Sequence, residues 1–173
     1  MKSIYFFKTS VLLTLLTFVF GLASCSQNSD DEDYQSVPPR FENVEVSNAD
    51  NPGGELKAGE NIKITAIQKE AGRLLIGSTY TWSVSPELDV EYEPVKNVNY
   101  GVDSSNPTNI FKFANPGTYR ITLKAKYTTS GSKGMTEGWS ENHPDQKFNI
   151  SYEVYGAAFF YYLVTIDKYV TIK

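Results

Sequence analysis

Residues 119–127 read Tyr-Arg-Ile-Thr-Leu-Lys-Ala-Lys-Tyr, so Tyr119, Ile121, Leu123, Ala125 and Tyr127 alternate without a break with Arg120, Thr122, Lys124 and Lys126. A period of two places successive side chains on opposite faces of a β-strand. One face is dry and the other wet, the pattern of an antiparallel sheet covered on one side. Asn115-Pro116-Gly117 precedes this strand. Pro presets the first central angle of a turn there, and Gly permits the positive φ of a type II second position. Any fold that contains this segment has to bring a second layer against the apolar row.

The same period recurs through the chain. Val44 and Val46 mark a first strand, and Ile62, Ile64 and Ala66 share a face of a second, opened by the turn Lys57-Ala58-Gly59. Residues 74–76 form a short apolar run ended by Gly77. Tyr80, Trp82 and Val84 point opposite to Thr79, Thr81 and Ser83, and Phe111 and Phe113 lie on a neighbouring strand. Near the end, Phe148, Ile150, Tyr152 and Val154 share one face, as do Phe160, Tyr162, Val164 and Ile166. The resulting expectation is an all-β chain, an antiparallel β-sandwich with Trp82, Phe113, Tyr119, Ile121 and Leu123 in its core.

Three stretches leave side chains that a simple sandwich does not use. Phe159, Tyr161 and Leu163 fall opposite the buried set of the last strand. They either meet another layer or form an exposed aromatic patch shared with Tyr155. Residues 128–146 are rich in Gly, Ser and Thr and read as a long loop or loosely paired hairpin. Within them Trp139 either stacks on a sugar face or a protein partner, or folds back to cover the sandwich end. Glu87, Asp89, Glu91 and Glu93 alternate with Leu88, Val90 and Tyr92. On one strand these carboxylates stand about 6.5–7 Å apart, too far for a single calcium ion to gather, and suit a solvated edge or a docking strip for a basic partner.

The chain begins differently. Lys2 and Lys8 precede an apolar run over residues 11–23, closed by Leu22-Ala23-Ser24-Cys25. The positive start, short apolar core and small residues are those of an export leader, and the run is shorter than the ~20 residues of a spanning helix. The Leu-Ala-Ser-Cys stretch resembles the lipobox of bacterial lipoproteins. The resemblance implies cleavage before Cys25, diacylglycerol on its sulfur and an acyl chain, such as palmitate, on its amine. At about 0.8 kcal/mol per buried methylene, such chains suffice for membrane anchoring. The acidic run Asp30-Asp31-Glu32-Asp33 that follows resembles the surface-export signal of Bacteroidota-type lipoproteins, which implies an outer-membrane, cell-surface location. With Pro38 and Pro39 behind it, this stretch reads as a flexible tether. The expected organisation is therefore a signal peptide over 1–24, a lipidated, acidic tether over 25–40 and a sandwich domain over 41–173.

A second resemblance rests on Tyr80-Thr81-Trp82, Phe111-Lys112-Phe113, Pro116-Gly117-Thr118-Tyr119 and Ile121-Thr122-Leu123. Over residues 59–127 these are similar to the PKD domain, an immunoglobulin-like sandwich. The resemblance implies that Trp82 plugs the core and that Tyr119 forms a hydrogen-bonded corner at the start of the penultimate strand. Ser83-Val84-Ser85-Pro86 and a long insertion replace the acidic, glycine-containing turn usual after the Trp, so nothing functional is carried over from that turn.

Charge and composition narrow the functional classes. Removing the leader with its two lysines takes the net charge from −4 to −6, which excludes the basic footprint of a nucleic-acid binder. Cys25 is the only cysteine and His143 the only histidine. No internal disulfide is available, and no acid, base and nucleophile cluster in sequence. The chain is read as non-enzymatic, with no metal and no cofactor beyond the acyl groups of Cys25. The expected role is a binding module for a glycan, or for a host or envelope protein, through Trp139, Tyr155, Phe159 and Tyr161. The alternative is a spacer or interaction subunit of an envelope complex.

Overall fold

The computed structural model describes residues 34–98, 106–134, 138–157 and 159–173. The leader, Cys25 and the acidic run lie outside the described residues. The strands are β1 (Gln35–Ser36), β2 (Arg40–Asn48), β3 (Asn61–Glu70), β4 (Leu75–Ser85), β5 (Val90–Glu91), β6 (Val95–Val98), β7 (Thr108–Phe113), β8 (Gly117–Thr129), β9 (Ser132–Lys133), β10 (Trp139–His143), β11 (Phe148–Tyr155) and β12 (Tyr161–Ile172). The described residues are mostly strand, with a 3-10 turn at Pro144–Gln146.

Two antiparallel sheets form the body. One has the order β10-β11-β12-β8-β4-β6, the other β2-β3-β7-β5. The alternation that defines β8 explains its central place. Its apolar row is buried, with Ala125 and Tyr127 fully enclosed, and its polar row faces water. β12 lies antiparallel to it from Tyr161 opposite Thr128 to Ile172 opposite Gly117 without a register shift.

Aromatic side chains join the two sheets. Trp82 on β4 meets Phe111 on β7 edge to face, with ring centres 5.8 Å apart, and Phe113 on β7 lies 4.6 Å from Tyr119 on β8. Each such ring contributes roughly 1.5–3 kcal/mol through its burial. The Tyr119 hydroxyl donates to the Asn115 carbonyl at 2.9 Å, which closes the β7–β8 connection across the end of the core. Gly117 has φ of 159°, an extended value. The expected type II turn, which needs roughly +80°, is therefore not what holds this corner; the tyrosine hydrogen bond is.

Three sequence expectations need correction. The fold does not start at residue 41, because Gln35–Ser36 pairs in parallel with Ser132–Lys133 and both Pro38 and Pro39 are buried. Ser36 is fully enclosed, its Oγ donates to the Ser132 carbonyl at 2.9 Å, and its carbonyl accepts the Tyr162 hydroxyl. This strap needs glycine beneath it: a Cβ on Gly131 would stand 2.3 Å from the Tyr34 carbonyl oxygen, and one on Gly134 2.6 Å from that of Ser36.

Residues 87–93 do not form the continuous acidic strand. Asp89 takes a left-handed backbone with φ of 52°, only Val90–Glu91 pair, and Leu88 is exposed rather than inward. Tyr92 turns in to stack on Phe111 at 5.1 Å. Finally, the described part of residues 128–146 is neither one long loop nor a hairpin paired within itself, since it ends β8, pairs β9 with β1 and pairs β10 with β11.

Tyr119→Phe removes the corner hydrogen bond while keeping the ring, and is expected to cost about 0.5–1.5 kcal/mol. Trp82→Ala leaves a cavity between the sheets and is expected to cost about 3–5 kcal/mol. Urea unfolding with an unchanged denaturant slope checks both.

Candidate functional site

β10 is the edge of the larger sheet and pairs with β11 from Trp139 opposite Tyr152 to His143 opposite Phe148. Period two therefore sends Trp139, Glu141 and His143 to the side of buried Tyr152, Ile150 and Phe148, and Ser140 and Asn142 to the other side. Trp139 stacks on Tyr152 with ring centres 5.4 Å apart and planes 28° from parallel. The Arg40 guanidinium, at the start of β2, lies 4.6 Å from the Trp139 ring centre and 3.2 Å from a Glu141 oxygen. The other Glu141 oxygen is 3.3 Å from His143 Nε2, and the imidazole lies flat on Phe148 at 4.3 Å. His143 is thus a packing residue that ends a charged strip along the open side of the sandwich.

β10 begins at Trp139, so the Glu153 to Tyr155 part of β11 runs on beyond it. That step is a groove of about 450 Å³, lined by Gly138 and by Trp139 and Ser140 of β10 on one side and by residues 151–155 of β11 on the other. Trp139 keeps 38 % of its surface exposed. The Trp139 ring packs on Tyr152 beneath Arg40, and the same side chain borders the groove.

Tyr155 leads from the groove onto the outer face of the sheet. It stacks on Tyr161 of β12 at 5.3 Å with planes 18° apart, and its hydroxyl donates to Glu153. Lys126 on β8 places its Nζ 4.2 Å from the Tyr161 ring centre. Phe159, in the turn between β11 and β12, is 97 % exposed. Gly156 makes that turn possible, with φ of 90° and room for no Cβ, which would stand 2.5 Å from the Phe159 carbonyl oxygen. Of the side chains singled out from sequence, Trp139 and Tyr155 share the groove, Tyr161 joins through its stack on Tyr155, and Phe159 projects beside them without lining it. Cys25 lies outside the described residues. Among the described residues, no group of three or more His, Cys, Asp or Glu is arranged to hold a metal ion.

The chain matches no protein-family model, no curated protein and no solved structure. The site is therefore defined by its geometry alone. Arg40, Lys126, Glu141 and Tyr152 belong to it and were not singled out from sequence. The outward position of Lys126 was legible in the β8 alternation, whereas the approach of Arg40 depends on how the sheets stack.

Burial pushes the Tyr152 phenol up to about 12, an effect strengthened by nearby Glu141 and opposed by the Phe41 N–H, which donates to its oxygen. An unfolded tyrosine ionises near 10. The folded state holds the proton more tightly, so this contribution is fully present below pH 10 and is lost as pH rises from 10 to 12. Tyr152→Phe also orphans the Phe41 N–H and is expected to cost about 1–2 kcal/mol at pH 9. That gap should narrow steadily toward pH 12 in urea unfolding of the two proteins.

Proposed function

We propose that this chain is a lipid-anchored, surface-displayed binding module of the bacterial outer membrane, without catalytic activity, that captures glycan chains. The observation that carries this reading is the Tyr155–Tyr161 stack on the outer sheet face, continuous with the Trp139 groove and flanked by bare Phe159. Aromatic rings held on a sheet offer flat apolar faces with polar rims. Sugars present matching C–H faces bordered by hydroxyls, so rings fixed on paired strands can stack against them with little ordering cost.

Support for an immunoglobulin-like, PKD-like fold comes from strand neighbours and from two residues. Taking β2, β3, β4, β7, β8 and β12 as A, B, C, E, F and G puts A, B and E in one sheet with β5 at the D position, and C, F and G in the other. Trp82 sits buried on the C-like strand, and Tyr119 makes its corner hydrogen bond at the start of the F-like strand. β10 and β11 are then an inserted hairpin that widens the sheet beside G. The lipid anchor is supported by the Leu22-Ala23-Ser24-Cys25 stretch and the acidic run after it.

Radiolabelled palmitate should enter the chain in a lipoprotein-processing bacterium and be absent from Cys25→Ser. In affinity electrophoresis through polysaccharide gels, Tyr155→Ala and Tyr161→Ala should each weaken retention about tenfold, near the upper end of ~0.5–1.5 kcal/mol for a ring contact. Thermal unfolding should be nearly unchanged, because both rings lie on the outer face. Retention on no polysaccharide, with the fold intact, would shift the reading to the spacer or envelope-subunit alternative.

A further inference from the structure

The outward row of β8 beside the tyrosines is Arg120, Thr122, Lys124, Lys126 and Thr128, and its three cations are exposed. Among the described residues, the salt bridges are Arg40–Glu141, Lys57–Glu55, His143–Glu141 and Lys173–Glu55, and none engages this row. Opposite on β12, Tyr161 stands across from Thr128, Leu163 from Lys126, Thr165 from Lys124, Asp167 from Thr122 and Tyr169 from Arg120. On β4 the outward neighbours are Thr79, Thr81 and Ser83, which carry no charge. Two carboxylates share the face, Asp167, which accepts the Thr122 hydroxyl, and Glu153, which accepts the Tyr155 hydroxyl, and neither forms a salt bridge with the row. A chain with a net charge of −4 thus carries, on this strand, a line of cations with no carboxylate partner.

Building on the glycan-binding reading, we infer that the ligand is an acidic polysaccharide, one bearing carboxylate or sulfate groups, laid along β8 with a sugar ring on the Tyr155–Tyr161 platform. The row from Arg120 to Lys126 is roughly 20 Å long at about 3.4 Å per residue, the span of several sugar units rather than one. Lys126 connects the two halves of the site, since its Nζ rests over Tyr161 while remaining exposed to an anion. The tyrosines supply stacking, and the cations supply charge-assisted hydrogen bonds to acidic groups. Arg120 can take a carboxylate or sulfate in bidentate fashion, whereas the lysines act as point charges.

The test uses the full chain in detergent on a glycan array. The array holds uronate, sulfated and sialylated glycans, their methyl-esterified or desulfated counterparts, neutral glucans and glycerophosphoglycerol as a lipid-headgroup probe. Acidic glycans should bind and their neutralised counterparts should not, with binding falling as salt rises from 0.05 to about 0.5 M. Lys124→Gln and Lys126→Gln should each weaken acidic-glycan binding roughly 3–10-fold, as loss of a charged contact does. Lys124→Glu with Lys126→Glu should abolish it, while thermal unfolding stays within a few degrees. Neutral glycans bound equally well, with no response to the lysine variants, would overturn this inference and leave the glycan reading standing. Binding to no glycan, or to the headgroup probe alone, would overturn both.

Discussion

The register of β12 on β8 is the constraint on which the rest of this molecule depends. Because side chains alternate with a period of two, a slip of one residue between these strands would turn Tyr162, Val164 and Ile166 outward and drive Tyr161, Leu163 and Asp167 into the core. The uninterrupted pairing from Tyr161 to Ile172 forbids that slip. It is reinforced from inside by the rings of Trp82, Phe111, Phe113 and Tyr119, which fit only when β8 and β4 present those faces to the smaller sheet. The same register sets what the outside offers. Tyr155 meets Tyr161, and Tyr161 meets Lys126, because three strands are held in step.

Much of this was legible in the sequence for a simple reason: alternation survives wherever a strand is half buried. The buried sets of β3, β4, β8, β11 and β12 follow from Ile62-x-Ile64, Tyr80-x-Trp82, the 119–127 row, Phe148-x-Ile150 and Tyr162-x-Val164 without knowledge of their partners. What failed to show were features set by non-local contact. Trp139 sits in polar surroundings in the chain, yet in space it lies on Tyr152 and under Arg40, whose place is fixed by the opposing sheet. The acidic alternation over 87–93 imitates a strand, but Asp89 leaves the extended region and Tyr92 is drawn to Phe111. Local pattern lost there to the gain from stacking a ring on the core. Of the second set of the last strand, Tyr161 stacks on Tyr155 and takes Lys126 over its ring, while Phe159 is bare to water; among the described residues no further strand covers them.

The larger sheet also shows how an exposed edge is handled. β10 lies at its margin and carries Glu141 and His143 on the side where the smaller sheet ends, with Arg40 reaching across. Charges at that position discourage another strand from docking along the edge. Among the described residues β10 does not run alongside Glu153 to Tyr155, and there Trp139 and Tyr155 border the groove.

The strap formed by β1 has a mechanical meaning. Ser36 is tied to β9 by backbone pairing and to Tyr162 through its carbonyl, and Tyr162 is the immediate neighbour of Tyr161. A pull applied at β1 would be passed through Ser36 to β12, the strand that carries Tyr161. A force applied there and one applied at Tyr161 would thus meet at adjacent residues of β12, with the buried ring of Tyr162 as the link.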